Sequence, residues 1–272
     1  MSSLPFYVVH AFTSERFAGN PAAVVFDDLF PDVDVMQQIA AENRLSETAF
    51  LQPHRENDDW DLRWFTPEVE VDLCGHATLA AAYTIFQDVD PDVDRVTFHT
   101  ASGALGAEWL GDADGVRIDL PLVDVREARA TPQLLTSLGL SAAPKDVRAT
   151  PAGRWLVHLA DEATVRGLTP DMAALAAAAP QGVIVTAPGD DADIASRFFA
   201  PAIGVPEDPV TGSAHAALVP YWCSRLGEKE ITCDQVGPRG GTLVGSQKGK
   251  RVLLSGTAVL YVRGELVLQD EE

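Results

Sequence analysis

Three short segments hold the residues whose chemistry is easiest to argue. Leu45-Ser46-Glu47-Thr48-Ala49-Phe50-Leu51 reads as a strand, and a side-chain period of two puts Glu47 on the face of Leu45, Ala49 and Leu51. A lone carboxylate among apolar neighbours has a raised pKa, which suits a general acid/base near neutral pH. Alternation leaves this open, because Phe50 lies on the other face and a strand glutamate is more often simply exposed. The other two segments are small-residue turns, Cys74-Gly75-His76 and Thr211-Gly212-Ser213, each opening an apolar helical stretch. Helix N-termini carry unpaired N–H groups and partial positive charge, and Gly75 and Gly212 let a ligand approach the backbone. Taken singly, each turn reads better as a cap. Two such ends facing a common ligand would hold a carboxylate.

His76, at the positive end of a helix, is expected to be neutral and to hydrogen-bond; a core or capping histidine is the alternative. Asp208 precedes the second turn, as a substrate-facing carboxylate or as compensation for the helix dipole. Cys74 is a candidate nucleophile or proton carrier, whereas Cys223 and Cys233 read as core residues.

The elements that must position these groups follow from hydrophobic patterning. Phe6–Phe12, Pro21–Phe26, Leu45–Leu51 and Asp61–Phe65 are expected strands, with an amphipathic helix over Asp32–Asn43 and its apolar face at Val35, Ile39 and Ala40. His76–Phe86 is apolar almost all round and should be a buried helix. More strands follow to Leu120. Pro121 to about Thr131 then loses the strand pattern and is the expected linker. Beyond it Arg154–Leu159, Gly182–Ala187 and Ala195–Phe199 read as strands, and Thr211–Leu226 as a second apolar helix closed by Gly227. Pro220 predicts a kink or break inside that helix.

The two halves echo one another. Trp64-Phe65-Thr66-Pro67, acidic residues, then Gly75-His76-Ala77 and an apolar helix reaching Tyr83 are matched by Phe198-Phe199-Ala200-Pro201, Glu207-Asp208, then Gly212-Ser213-Ala214 and a helix reaching Tyr221. Order, spacing and helix type agree, which predicts two homologous halves, each a strand layer on a buried helix. No GxGxxG follows a first strand, so a dinucleotide-binding fold is disfavoured.

Composition sets the remaining bounds. With 40 acidic and 20 basic residues the formal charge is −20, which argues against nucleic-acid or anionic-membrane partners. An anionic substrate must then be attracted by local groups. No apolar run approaches the ~20 residues that span a bilayer, and the N-terminus lacks the pattern of a secretory signal, so a cytoplasmic location is expected. The three cysteines form no CxxC pair and the six histidines no zinc-spaced cluster, so no metal is expected.

The strings FxGNPAAVV, RLSETAFL, RWFTPEVEVDLCGHATLAAAY and FAPAIGVPEDPVTGSAHAALVPYW, running from Phe17 to Trp222, resemble the PhzF-like (phenazine-biosynthesis) family. The resemblance implies an α+β, diaminopimelate-epimerase-like fold of two pseudo-symmetric lobes, each a strand layer or barrel around a buried central helix. The lobes are expected over 1–120 and 131–257, with the final strand, about 258–272, staying with the second lobe or returning to the first. It also implies a homodimer and cofactor-free proton transfer. By the same resemblance Glu47, Asp208 and His76 are catalytic, and Ser46, Gly75, Thr211, Gly212 and Ser213 bind a small anionic or zwitterionic carboxylate.

Related epimerases look to use two thiols, one per lobe. Here Cys74 occupies the first position and Thr211 the second, and a threonine hydroxyl is far too weak an acid to replace a thiol of pKa about 8.5. The favoured expectation is an isomerase in which Glu47 alone shuttles a proton. The rivals are an epimerase, racemase or dehydratase of an amino or hydroxy acid using Cys74, and a non-catalytic protein that binds small acids.

Overall fold

The computed structural model describes residues 2–268, which divide at Pro121 and Ser255 into two units. The first begins with β1 (Ser2–Ala11), β2 (Asn20–Phe26), α1 (Val33–Asn43), β3 (Glu47–Pro53), β4 (Trp60–Phe65) and β5 (Glu70–Val71). It continues with α2 (Gly75–Thr84), a π-helical turn over Ile85–Val89, β6 (Arg95–Thr100), β7 (Gly103–Trp109) and β8 (Val116–Pro121). The second holds β9 (Arg126–Glu127), α3 (Pro132–Ser137), β10 (Asp146–Ala149), β11 (Trp155–His158), α4 (Glu162–Arg166) and α5 (Met172–Ala178). There follow β12 (Val183–Pro188), β13 (Ile194–Ala200), β14 (Val205–Asp208), α6 (Gly212–Leu226), β15 (Glu230–Gln235), β16 (Gly241–Lys248) and β17 (Arg251–Gly256). β18 (Ala258–Leu268) belongs to the first unit, where it pairs antiparallel with β1.

The same pairing logic appears in both units. In the first, β1–β2, β3–β4, β6–β7 and β7–β8 are antiparallel, while β2–β3 and β4–β6 are parallel. In the second, β10–β11, β12–β13 and β15–β16 are antiparallel, while β11–β12 and β13–β15 are parallel. In each, the helix between the second parallel pair is the buried one, α2 and α6. The fold is α+β, and the motif echo marks this repeated order.

Local chemistry explains why these segments adopt these elements. α2 is buried at almost every position, from Gly75 to Ala82, and packs on β1, β2, β3, β7 and β18, as its lack of a polar face requires. α1 covers another part of the sheet, its Met36, Ile39 and Ala40 packing on Leu4, Val25, Phe50 and Phe65. β3 therefore meets helices, α1 and α2, and Thr48 to Leu51 are all buried. A strand covered on both sides reads as a continuous apolar run, which is why alternation around Glu47 could not be resolved. The strand starts at Glu47, with Leu45 and Ser46 in the bend before it.

Pro121–Thr131 is not an open linker: it carries β9, which pairs with β10, and ends at the N-cap of α3. Helices α3, α4 and α5, short and not expected from the apolar periodicity, are each capped by a side chain, from Thr131, Asp161 and Asp171. They bury Leu134, Val165 and Leu175 against Val157, Val183, Val185 and Phe199. The break expected at Pro220 does not occur, and α6 runs through it to Leu226. Pro220 deprives the Ala216 carbonyl of its helical donor, and the Val123 N–H, 3.2 Å away, donates instead. Gly227 then ends the helix in the left-handed region (φ 75°), as a C-terminal glycine commonly does. No helix among the described residues is long and apolar enough to cross a membrane.

Candidate active site

In the first unit the turn before β2 brings a polar residue to the buried helix. Gly19 (φ +65°) has no room for a Cβ, which would sit 2.3 Å from the Ala11 carbonyl oxygen, and the turn it permits places Asn20 at the head of β2. Asn20 is fully buried. Its Nδ2 donates to His76 Nδ1 at 3.1 Å, and its Oδ1 accepts from Ser46 Oγ at 3.4 Å. With Nδ1 accepting, the neutral imidazole carries its hydrogen on Nε2. That nitrogen lies 3.3 Å from Glu47 Oε2. Burial pushes the His76 pKa down to about 3, so near neutral pH the ring brings Glu47 a polar N–H and no countercharge.

Cys74 Sγ lies 3.5 Å from His76 Nδ1. Cys74 is the N-cap of α2, but its side chain makes no capping bond; Thr78 Oγ1, four residues on, donates to its carbonyl at 2.5 Å. The donor atoms of Glu47, Cys74 and His76 lie within 4.8 Å of one another, close enough to share a cation. The Asn20 bond to Nδ1 nevertheless gives Nε2 the role of a hydrogen donor facing Glu47.

The second unit carries its own cluster. Thr211, the N-cap of α6, also makes no side-chain capping bond; its Oγ1 donates to Asp208 Oδ2 at 2.5 Å. Gln235, at the end of β15, ties the turn together. Its Oε1 accepts from the Thr211 N–H at 2.8 Å, while Nε2 donates to the Asp208 carbonyl at 2.5 Å and to Thr211 Oγ1 at 3.2 Å. His215, four residues after the cap, donates from Nδ1 to the Thr211 carbonyl at 2.8 Å. Burial lowers its pKa to about 4, against the opposing effect of that bond. Ser213 Oγ accepts from Arg154 Nη1 at 3.1 Å.

The residues expected from the sequence thus fall into two groups, Ser46, Glu47, Gly75 and His76 in one unit and Asp208, Thr211, Gly212 and Ser213 in the other. Capping does not explain Cys74 or Thr211. Asn20, Gln235, Arg154 and His215 were not expected. Asn20 carried a local sign, the Gly19-Asn20-Pro21 turn, and His215 bonds the Thr211 carbonyl four residues back; Gln235 and Arg154 become visible through contacts between residues distant in sequence.

The profile of the family described as phenazine biosynthesis-like protein matches residues 9–264. A relative from Pseudomonas aeruginosa, named an uncharacterized isomerase, is 46% identical over 265 residues, covering 97% of this chain and 99% of its own. The crystal structure of a PhzF-family protein from Enterococcus faecalis superposes with a TM-score of 0.90 at 42% identity, covering 98% of this chain and 100% of that one. A predicted epimerase from Pseudomonas aeruginosa shares the fold at a TM-score of 0.77 and 20% identity, covering 98% and 100% of the two chains.

Proposed function

We propose that this chain, which belongs to the phenazine biosynthesis-like protein family, is a cofactor-independent isomerase that moves one proton within a small carboxylate-bearing metabolite. The observation that carries this reading is the pair of helix N-caps. Cys74 heads α2 and Thr211 heads α6 at matched points of the repeated order. Epimerisation through two bases needs an acidic group at each, and the Thr211 hydroxyl is both a far weaker acid than a thiol and already a donor to Asp208.

Transfer through one carboxylate avoids that need. Glu47 removes a proton from one carbon, and the electrons of that C–H bond form a new double bond as the old one opens, leaving the negative charge delocalised onto the second carbon. Glu47, briefly a neutral acid, then returns the same proton to that second carbon and regains its charge. Atoms and charge balance without a co-reactant. His76 supports the step: its neutral Nε2–H lies 3.3 Å from Oε2 and presents a dipole to the carboxylate without neutralising it. Asp208, Gly75, Thr211, Gly212 and Ser213 are the proposed contacts to the polar groups of the substrate, with Ser46 holding Asn20. Homodimeric assembly belongs to the same proposal and rests on the family.

A second reading has one observation in its favour, the presence of Cys74 Sγ in the Glu47–His76 cluster. The two separate on substitution. Glu47→Gln is expected to lower proton transfer by roughly 10²–10⁴-fold, the usual worth of a general acid/base, with the fold intact. The measurement is deuterium uptake from D₂O by proton NMR across a panel of unsaturated carboxylates. Full exchange by this variant, or exchange lost on Cys74→Ala instead, would overturn the single-carboxylate mechanism.

A further inference from the structure

Two arginines of the second unit are used differently, Arg197 buried and Arg154 half-buried. Arg197 is saturated: Nε and Nη2 grip both oxygens of Glu207 at 2.7 and 2.9 Å, and Nη1 donates to the carbonyls of Val165, Arg166 and Leu168. It is a structural ion pair. Arg154 is not saturated. Nη1 donates to Ser213 Oγ at 3.1 Å, Nε donates to the Gln181 carbonyl at a long 3.4 Å, and Nη2 donates to no protein group among the described residues. No carboxylate among the described residues pairs with it within ion-pair distance.

Its placement is nonetheless constrained. The guanidinium lies over the Phe198 ring, 4.9 Å from the centroid, and Phe198 stands opposite Asp208 in the β13–β14 register. Burial draws the Arg154 pKa below its ordinary value, opposed by the field of Asp208. A guanidinium stays charged under such a shift. Arg154 immediately precedes β11 and reaches the second residue of α6, as Asn20 at the head of β2 reaches the second residue of α2. At this matched point the first unit has a neutral amide and the second a cation.

We infer that Arg154, with Ser213, is the carboxylate-binding residue of this protein and fixes its preference for anionic substrates. The Nη1–Nη2 edge of a guanidinium matches the two oxygens of a carboxylate. Phe198 fixes the plane of the fork, and Ser213 fixes its rotation. This supplies the local attraction that a chain of formal charge −20 needs to collect an anion. The inference rests on the proposed reading that the substrate bears a carboxylate, and names the side chain that holds it.

The test is titration of the full-length protein with benzoate and crotonate, each against its neutral isostere, benzamide or crotonamide, followed by ¹⁵N chemical shifts. Wild type should bind the acids more tightly than the amides. Arg154→Gln should weaken acid binding roughly 10- to 100-fold, as loss of a charge-assisted pair implies, and leave amide binding unchanged. Arg154→Lys keeps the charge without the planar fork and should fall between the two; it also serves should Arg154→Gln fold poorly. Ser213→Ala should cost less than Arg154→Gln. The readout is binding alone and needs no turnover, so a failed proton-transfer mechanism leaves this result standing. Equal binding of acid and amide by wild type, or unchanged acid affinity in both Arg154 variants, would overturn the inference whatever Glu47 does.

Discussion

The two units run the same order of strands and buried helix, yet their polar clusters are organised on opposite principles. Around α2, Asn20 fixes the His76 ring so that a neutral Nε2–H faces Glu47 at 3.3 Å. Around α6, Gln235 and Thr211 spend their hydrogen bonds on Asp208 and on each other, and the histidine four residues past the cap donates from Nδ1 to the backbone. The histidines therefore carry their hydrogens on different nitrogens. A repeated backbone supplies two helix ends, and side-chain hydrogen bonding decides that one half holds a carboxylate faced by a neutral N–H and the other a carboxylate bonded to a threonine hydroxyl.

The contrast between Arg197 and Arg154 gives the sharpest test on stability. Arg197→Met leaves Glu207 without its partner and should cost about 3–5 kcal/mol, read as a fall in the urea midpoint. Arg154→Met strands no carboxylate in an ion pair and should cost about 1 kcal/mol or less. Equal losses would erase the distinction between a structural and a ligand-facing guanidinium.

The buried histidines predict how stability follows pH. Folded values of about 3 for His76 and about 4 for His215 lie below the unfolded value of about 6.5. Above pH 6.5 neither state binds these protons and the stability is fully present. As pH falls below 6.5 the unfolded chain takes up protons that the folded chain refuses, and stability is lost at about 1.4 kcal/mol per pH unit per histidine. His215→Gln should remove one such contribution, visible as a shallower fall in the unfolding midpoint between pH 6 and pH 4.5. An unchanged slope would mean that His215 protonates in the folded state.

The smallest effect is expected at the N-caps, where one unit has cysteine and the other threonine. Cys74→Ala should leave proton transfer within about tenfold of wild type, because the thiol is outside the single-carboxylate route. Thr211→Cys restores a thiol at the matched N-cap, at the cost of the hydrogen bond to Asp208, about 1 kcal/mol of stability. Epimerising activity appearing only in Thr211→Cys would show that this one position separates the two chemistries.

Much of the framework was legible because it is local. The apolar run of α2 could only be a buried helix, Gly227 marked where α6 stops, and the echo of Phe65-Thr66-Pro67 by Phe199-Ala200-Pro201 marked a strand order that recurs in both units. Glu47, His76, Asp208 and Ser213 were legible as types of group at helix and strand ends. Their partners were not. Asn20 lies 56 residues from His76, Arg154 lies 59 from Ser213, and Gln235 lies 24 from Thr211. Such hydrogen bonds depend on which strands pair and in what register, and register is a property of the folded sheet. Even Pro220 illustrates the point: its missing N–H is written in the sequence, but the rescue of the Ala216 carbonyl by Val123 exists only in the tertiary structure. The residues alone determined which groups could do chemistry and which helices must be buried. Long-range packing decided which nitrogen of His76 holds a hydrogen, which side chain ties down the turn before α6, and which arginine is left with donors to offer.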